Sequence, residues 1–156
     1  MKRVMFISSM GGHLSEMMQL SSIFKDYDYK IVTEKHKSTM SIKDKYKNRV
    51  DYLMTGNRKN MFKYAFTLPC NIVKSFIIFL KFKPEVVITT GAHTCVAMCY
   101  IAKIFRKKVI YIESFANIST KTLTGRLVYP IADTFIVQWE SMLKLYPKAT
   151  YKGWIF

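Results

Sequence analysis

The sequence predicts an α/β fold built on a doubly wound parallel sheet, and three observations predict it. Short apolar runs recur at Arg3–Ser8, Tyr29–Thr33, Val50–Met54, Glu85–Thr89, Val109–Glu113 and Thr134–Gln138. Most are continuous rather than alternating, as strands read when both faces of their sheet are covered. Helix-length segments separate them at His13–Phe24, Met61–Phe82, Thr94–Phe105, Thr122–Tyr129 and Glu140–Tyr146. Such alternation calls for parallel strands joined by right-handed crossovers, a Rossmann-like arrangement.

Composition narrows the possibilities. The 156 residues fit one domain, residues 1–156, and are half hydrophobic, so the chain can bury a core and is not disordered. A cleft enzyme with two domains is excluded unless another chain supplies the second half. The 25 Lys+Arg against 10 Asp+Glu give +15, which calls for an anionic partner: nucleic acid, an anionic membrane or a phosphorylated substrate. Scattered basic residues without a helix-turn-helix, an RNP-like strand or a zinc finger argue against nucleic acid. Cys70, Cys95 and Cys99 have no metal-type spacing and read as free thiols in a reducing cytoplasm. The apolar run after Met1-Lys2-Arg3 is too short for a signal peptide, and no stretch offers about 18 uncharged apolar residues for a membrane span. Lys35–Arg49 carries six cations against Asp44 alone. It is either a solvated loop and helix end or a cationic lip over phosphate or membrane.

In a doubly wound sheet a ligand sits beyond the carboxyl ends of the strands, where strand order reverses. With the common order, the first and fourth strands flank that point. Their loops are Ser8-Ser9-Met10-Gly11-Gly12-His13 and Thr89-Thr90-Gly91-Ala92-His93, and the fifth strand ends in Glu113-Ser114. Gly11-Gly12 permits a tight turn and aims helix N–H groups at a phosphate or sugar oxygen. It is neither G-x-G-x-x-G nor a Walker loop. Ser9, Thr90, Gly91, His93 and Ser114 are candidate acceptor or phosphate contacts. His13 suits a general base or a cationic phosphate contact. Glu113, a carboxylate ending an apolar run, needs partners or a role. Each also has a structural alternative: a plain strand-to-helix turn, or a histidine bonded to backbone. No metal and no cofactor is called for.

Met61–Phe82 places Lys63, Lys74 and Lys81 almost on one line at roughly 100° per residue, and Thr67, Asn71 and Ser75 extend that polar sector. The rest is broad and apolar, and Pro69 is expected to kink or split the segment. Two readings are open. Either the apolar face packs on the sheet with snorkelling lysines, or the helix lies in a membrane surface with Phe66, Phe76 and Phe79 inserted and lysines at the head groups.

Ser8–His13, Thr89–Ala92, Tyr111-Ile112-Glu113-Ser114-Phe115-Ala116, the Thr124-Gly125-Arg126 turn and Ala132–Trp139 together resemble a known set, in the right order over nearly the whole chain. They are similar to the membrane-associating subunit of the two-subunit UDP-N-acetylglucosamine transferase of dolichol-linked oligosaccharide synthesis. The resemblance is closer to its bacterial counterparts in capsular and exopolysaccharide assembly. It implies the N-terminal, acceptor-side half of a GT-B glycosyltransferase, probing an acceptor that is a lipid-pyrophosphate-linked sugar. A separate small subunit would bind the UDP-sugar. Gly11, Gly12 and His13 map onto the family's glycine-rich loop, and Glu113 onto its strand-end glutamate. Lacking the eukaryotic N-terminal membrane helix, the chain is expected to sit peripherally on the cytoplasmic face through Met61–Phe82 and its lysines, or through the partner. Trp154, Ile155 and Phe156 are expected to touch that partner. Two further readings stay open: a non-enzymatic membrane scaffold for a transferase, and a self-sufficient small enzyme with a nucleotide cofactor.

Overall fold

The computed structural model of the chain describes residues 1–56 and 61–155, apart from the side chains of 61–64, so the expected contacts of Lys63 and Phe156 lie outside it. Six parallel strands form one sheet in the order β3-β2-β1-β4-β5-β6. They are β1 Arg3–Ile7, β2 Asp28–Glu34, β3 Val50–Leu53, β4 Val86–Thr89, β5 Lys108–Ile112 and β6 Thr134–Ile136. Each matches an apolar run in the sequence to within a residue or two. β1 pairs with β2 on one side and β4 on the other, so strand order reverses between β1 and β4.

The helices are α1 Gly12–Gln19, α2 Met40–Tyr46, α3 Met61–Phe82, α4 Val96–Ile104 and α5 Leu123–Val128. Three expected helices resolve partly or wholly into 3₁₀ turns, at Leu20–Asp26, His93–Cys95 and Glu140–Lys144. The polar insertion holds a helix of its own, α2. Alternation along β1 explains the continuous apolar run: Val4 and Phe6 join a core with Leu14, Met17 and Phe24, while Met5 and Ile7 join one with Phe79, Met98 and Phe135. Cys95 and Cys99 are buried free thiols in the second core.

Two expectations for Met61–Phe82 are overturned. Pro69 does not split the segment, which runs as one helix of 22 residues, about 33 Å. Of the two readings of its faces, the one that packs the apolar face on the sheet is overturned as well, while an outward apolar face fits the membrane-surface reading. Thr67, Asn71 and Ser75, four residues apart, are buried, with Ile78 and Phe79 beside them. Asn71 explains part of this, since its side chain accepts from Met54 N–H and donates to Met54 C=O, both at 2.8 Å, stitching α3 to the end of β3. The outward face is apolar: Phe66, Ile72, Val73, Phe76, Ile77 and Leu80 are all exposed. Lys74 and Lys81 are exposed too, and their helical phase places them along one border of that face. Phe79 is corrected: at 2% exposure it packs on Phe105, 5.1 Å between ring centres, and cannot be a surface contact. Ala65–Phe82 also has the length and composition to cross a bilayer, even with two lysines in it.

Candidate functional site

The β1–α1 and β4–α4 loops meet at the switch point and are strapped together twice. The Thr90 hydroxyl donates to the His13 carbonyl at 2.6 Å, and His13 Nδ1 lies 2.8 Å from the Thr90 carbonyl. A carbonyl only accepts, so Nδ1 carries the hydrogen and Nε2 of the neutral ring holds a lone pair. That is the tautomer a general base needs. Gly11 turns the chain at φ +84° and accepts N–H bonds from Leu14 and Ser15, leaving open space where a side chain would stand. The first N–H groups of α1 border that space.

The second loop is strained. Gly91 has φ +105°, and Ala92 follows at φ 68°, ψ 161°, a region glycine tolerates and alanine does not. A Cβ on Gly91 would lie 3.0 Å from the Tyr111 hydroxyl and 3.5 Å from the His13 ring, so only glycine lets these two approach.

Glu113 ends β5 at 1% exposure. Its carboxylate accepts from Ser114 N–H at 3.1 Å and the Thr122 hydroxyl at 3.2 Å, with the Tyr111 and Tyr146 hydroxyls each at 3.5 Å. Burial pushes its carboxyl above the usual range, opposed by the bonds from Ser114, Thr122 and Tyr146 and by the proximity of His13. Tyr111 and Tyr146 are likewise raised, first by burial and then by the Glu113 charge. The N-terminus of α5 completes the nest. Thr122 caps it by accepting from Gly125 N–H, and any Cβ on Gly125 would stand 2.7 Å from Glu113 Oε2.

Ser114 joins His13 through a residue the sequence reading missed. Glu16 Oε1 accepts from the Ser114 hydroxyl at 2.8 Å and Phe115 N–H at 2.9 Å, while Glu16 Oε2 is buried, without a hydrogen bond, 3.9 Å from His13 Nδ1. The signal was in the sequence as a carboxylate three residues after His13, one helical turn on. His93 lies apart from this cluster in its contacts. Its Nε2 is 3.8 Å from Glu34 Oε1, and Thr94 donates to the same oxygen of that buried carboxylate. Glu34 was also missed: it is the last residue of β2, a strand-end carboxylate like Glu113, on a strand that does not flank the switch point. Ser9 is buried with its hydroxyl on the Met10 carbonyl. Among the described residues no group of three His, Cys, Asp or Glu side chains could hold a metal.

The C-terminal segment is latched to this site. Gln138 donates to the Glu113 carbonyl and accepts from Ile155 N–H, both at 3.1 Å. Trp139 donates to the Phe115 carbonyl, and the Phe115, Trp139 and Trp154 rings stand about each other. Trp154 keeps 62% of its surface exposed.

A family model described as "Oligosaccharide biosynthesis protein Alg14 like" matches residues 4–155. Among curated proteins, the "UDP-N-acetylglucosamine transferase subunit ALG14" of Yarrowia lipolytica is 27% identical, over 97% of this chain and 80% of its own. The human protein of that name is 28% identical, over 96% and 81%. Among solved structures, MurG of Acinetobacter baumannii superposes with a TM-score of 0.72 at 12% identity, over 90% of this chain and 43% of its own. UDP-N-acetylglucosamine 2-epimerase of Rickettsia bellii gives 0.73 at 16%, over 98% and 45%. The fold is therefore that of one Rossmann-like half of a GT-B architecture, and the chain spans less than half of either solved structure.

Proposed function

Since the chain belongs to the Alg14-like family of oligosaccharide biosynthesis proteins, we propose that it is the acceptor-side, membrane-associating subunit of a two-subunit glycosyltransferase. Its partner is a small donor-binding subunit, and together they transfer a sugar from a UDP-sugar to a lipid-pyrophosphate-linked sugar. One observation carries this reading: the family match runs over nearly the whole chain, and the curated relatives, matched over 80% and 81% of their own length, are themselves named transferase subunits. Repeat units of capsule or exopolysaccharide are the expected product, on the sequence resemblance alone.

The chemistry follows from the crevice. The open space at Gly11-Gly12 and the N-terminus of α1 take acceptor phosphate or sugar oxygens beside the Thr90-Gly91 loop and Ser114, whereas Ser9, buried on the Met10 carbonyl, and His93, turned to Glu34, are not proposed as contacts. The acceptor hydroxyl gives its proton to His13 Nε2 while its oxygen bonds the donor's anomeric carbon, and the bond from that carbon to the UDP oxygen breaks. The imidazolium so formed keeps Nδ1–H on the Thr90 carbonyl and has the Glu16 carboxylate 3.9 Å away. Glu113, enclosed by its own partners, orients the loop rather than touching the acceptor. The outward apolar face of α3, with Phe66 and Phe76, sits in the cytoplasmic leaflet and Lys74 and Lys81 reach its anionic head groups. Trp154 and Ile155 meet the partner.

The test is reconstitution. Chain plus partner should transfer sugar from UDP-sugar to a lipid-pyrophosphate-sugar, His13→Ala should abolish this, and the chain alone should be inactive. Full-rate transfer by the chain alone would refute the division of labour, and full activity of His13→Ala would leave only a scaffold.

A further inference from the structure

Glu34, the last residue of β2, is 2% exposed and takes no part in the proton transfer above. Its backbone is fixed in place: it pairs with Leu53 of β3, and its carbonyl accepts from the Thr39 hydroxyl at 2.7 Å. Its carboxylate reaches across to the loop after β4, where Oε1 accepts from the Thr94 hydroxyl and lies 3.8 Å from His93 Nε2. Burying a carboxylate costs free energy that its contacts must offset, and these contacts go to one short loop. That loop contains a strained turn. Ala92 stands at φ 68°, ψ 161°, where glycine is tolerated and alanine is not. On one side of it, Gly91 lets the backbone approach the His13 ring, and Thr90 is strapped to His13 by bonds of 2.6 and 2.8 Å. On the other side, His93 and Thr94 face Glu34. The Ala92 carbonyl is tied within the loop, to Cys95 N–H at 3.2 Å and Cys95 Sγ at 2.9 Å.

An alanine keeps such a conformation only where its surroundings over-determine the turn. Freed at one end, Ala92 would relax toward negative φ and carry Gly91 away from the imidazole beside it. The Thr90 end is bonded to His13 itself, so loop and ring can shift together there. Glu34 is the anchor at the other end, and it belongs to a different strand. We propose that Glu34 is a positioning residue for His13. It holds the far end of the strained turn, so that Gly91 stays against the ring and the Thr90 carbonyl stays on Nδ1, leaving the lone pair on Nε2. This rests on the reading of His13 as the base, and adds what keeps that base in place.

Glu34→Gln keeps an oxygen for Thr94 and removes the charge facing His93. In the reconstituted transferase kcat should fall about tenfold, as a small misplacement of a catalytic group costs, with KM for the acceptor unchanged. In an Ala92→Gly background the same substitution should cost less than about twofold, because glycine takes this turn without being held. The isolated full-length chain gives a second readout in the ring resonances of His13, assigned by their loss in His13→Ala. Glu34→Gln should shift or split them, and should leave them in place when Ala92→Gly is already present. A through-space effect of the lost charge would move them equally in both backgrounds, and general destabilisation would lower kcat equally in both. Either result overturns the proposal, as does a Glu34→Gln variant with unchanged kcat and unchanged resonances. Should Glu34→Gln not fold, Thr94→Ala removes the same contact from the other side and goes through the same two backgrounds. If chain and partner together transfer no sugar, the proposed function fails, and the His13 resonances still decide the role of Glu34.

Discussion

The orientation of α3 can be tested with two adjacent residues. Asn71 is buried and makes two 2.8 Å hydrogen bonds to Met54, whereas Ile72, one residue on, is 44% exposed. In Asn71→Leu both bonds are lost, at about 1 kcal/mol each, and the Met54 N–H and C=O lose partners at a part-buried position. Leucine's own burial returns at most about 1 kcal/mol in a slot shaped for an amide. The net expectation is a loss of about 2 kcal/mol, or about 4–8 °C in Tm for a chain of this size. Ile72→Asn should change stability by no more than about 0.5 kcal/mol, as an exposed substitution does, yet reduce sedimentation with anionic vesicles. Thermal melts by circular dichroism and vesicle pelleting give both numbers. If Asn71→Leu is neutral and binds vesicles better while Ile72→Asn unfolds the chain, α3 packs by its apolar face and Asn71 does not hold it to β3.

Three further outcomes follow from the site. Gly125→Ala drives a methyl against the Tyr146 hydroxyl and Glu113 Oε2; urea melts should show a loss of about 2 kcal/mol or more, whereas Gly12→Ala, which meets no atom and has no positive φ, should change stability by no more than about 0.5 kcal/mol. Glu113 has its carboxyl raised by burial, so its contribution to stability is full below about pH 4.3 and falls as pH rises through the folded value. Glu113→Gln should remove that fall and melt higher than wild type at neutral pH, and a variant with an unchanged pH slope would refute it. Glu16→Gln keeps an oxygen for Ser114 and Phe115 but removes the charge facing His13; in the reconstituted transferase kcat should fall about tenfold with KM unchanged, and an equal rise in KM would show it merely structural.

The sheet was legible because most strands carry continuous apolar runs, and that pattern survives any detail of the loops. Convergence of Gly11-Gly12-His13, Thr90-Gly91 and Glu113-Ser114 followed from topology alone, since strand order placed their loops together. What pattern could not reveal was pairing. Glu16 meets Ser114 across 98 residues and Glu34 meets Thr94 across 60, and nothing near either carboxylate announces its partner. The inversion of α3 has a similar origin. Periodicity found the two faces of the helix, but the side that packs depends in part on one amide bonding the end of β3, an interaction invisible to hydropathy.

That inversion changes how the membrane reading must be built. With the polar sector outward, α3 would need to leave the fold to insert its apolar face. With Thr67, Asn71 and Ser75 inward, the apolar face is presented while α3 stays packed on α4 and β3. The patch continues beyond α3: Phe76 lies 6.1 Å from Phe105, and Tyr100, Ile104, Leu123 and Leu127 on or beside α4 and α5 are exposed as well. Such a contiguous apolar surface marks a contact face. α3 begins after the carboxyl end of β3 and finishes before the amino end of β4, so it runs antiparallel to the strands. A membrane lying along it would therefore run parallel to the strands, with the crevice at their carboxyl ends to one side of the contact face. Replacing Phe66 and Phe76 with serine should lower transfer to a vesicle-bound acceptor while sparing a detergent-solubilised one, and equal losses on both would break the link between this face and the crevice.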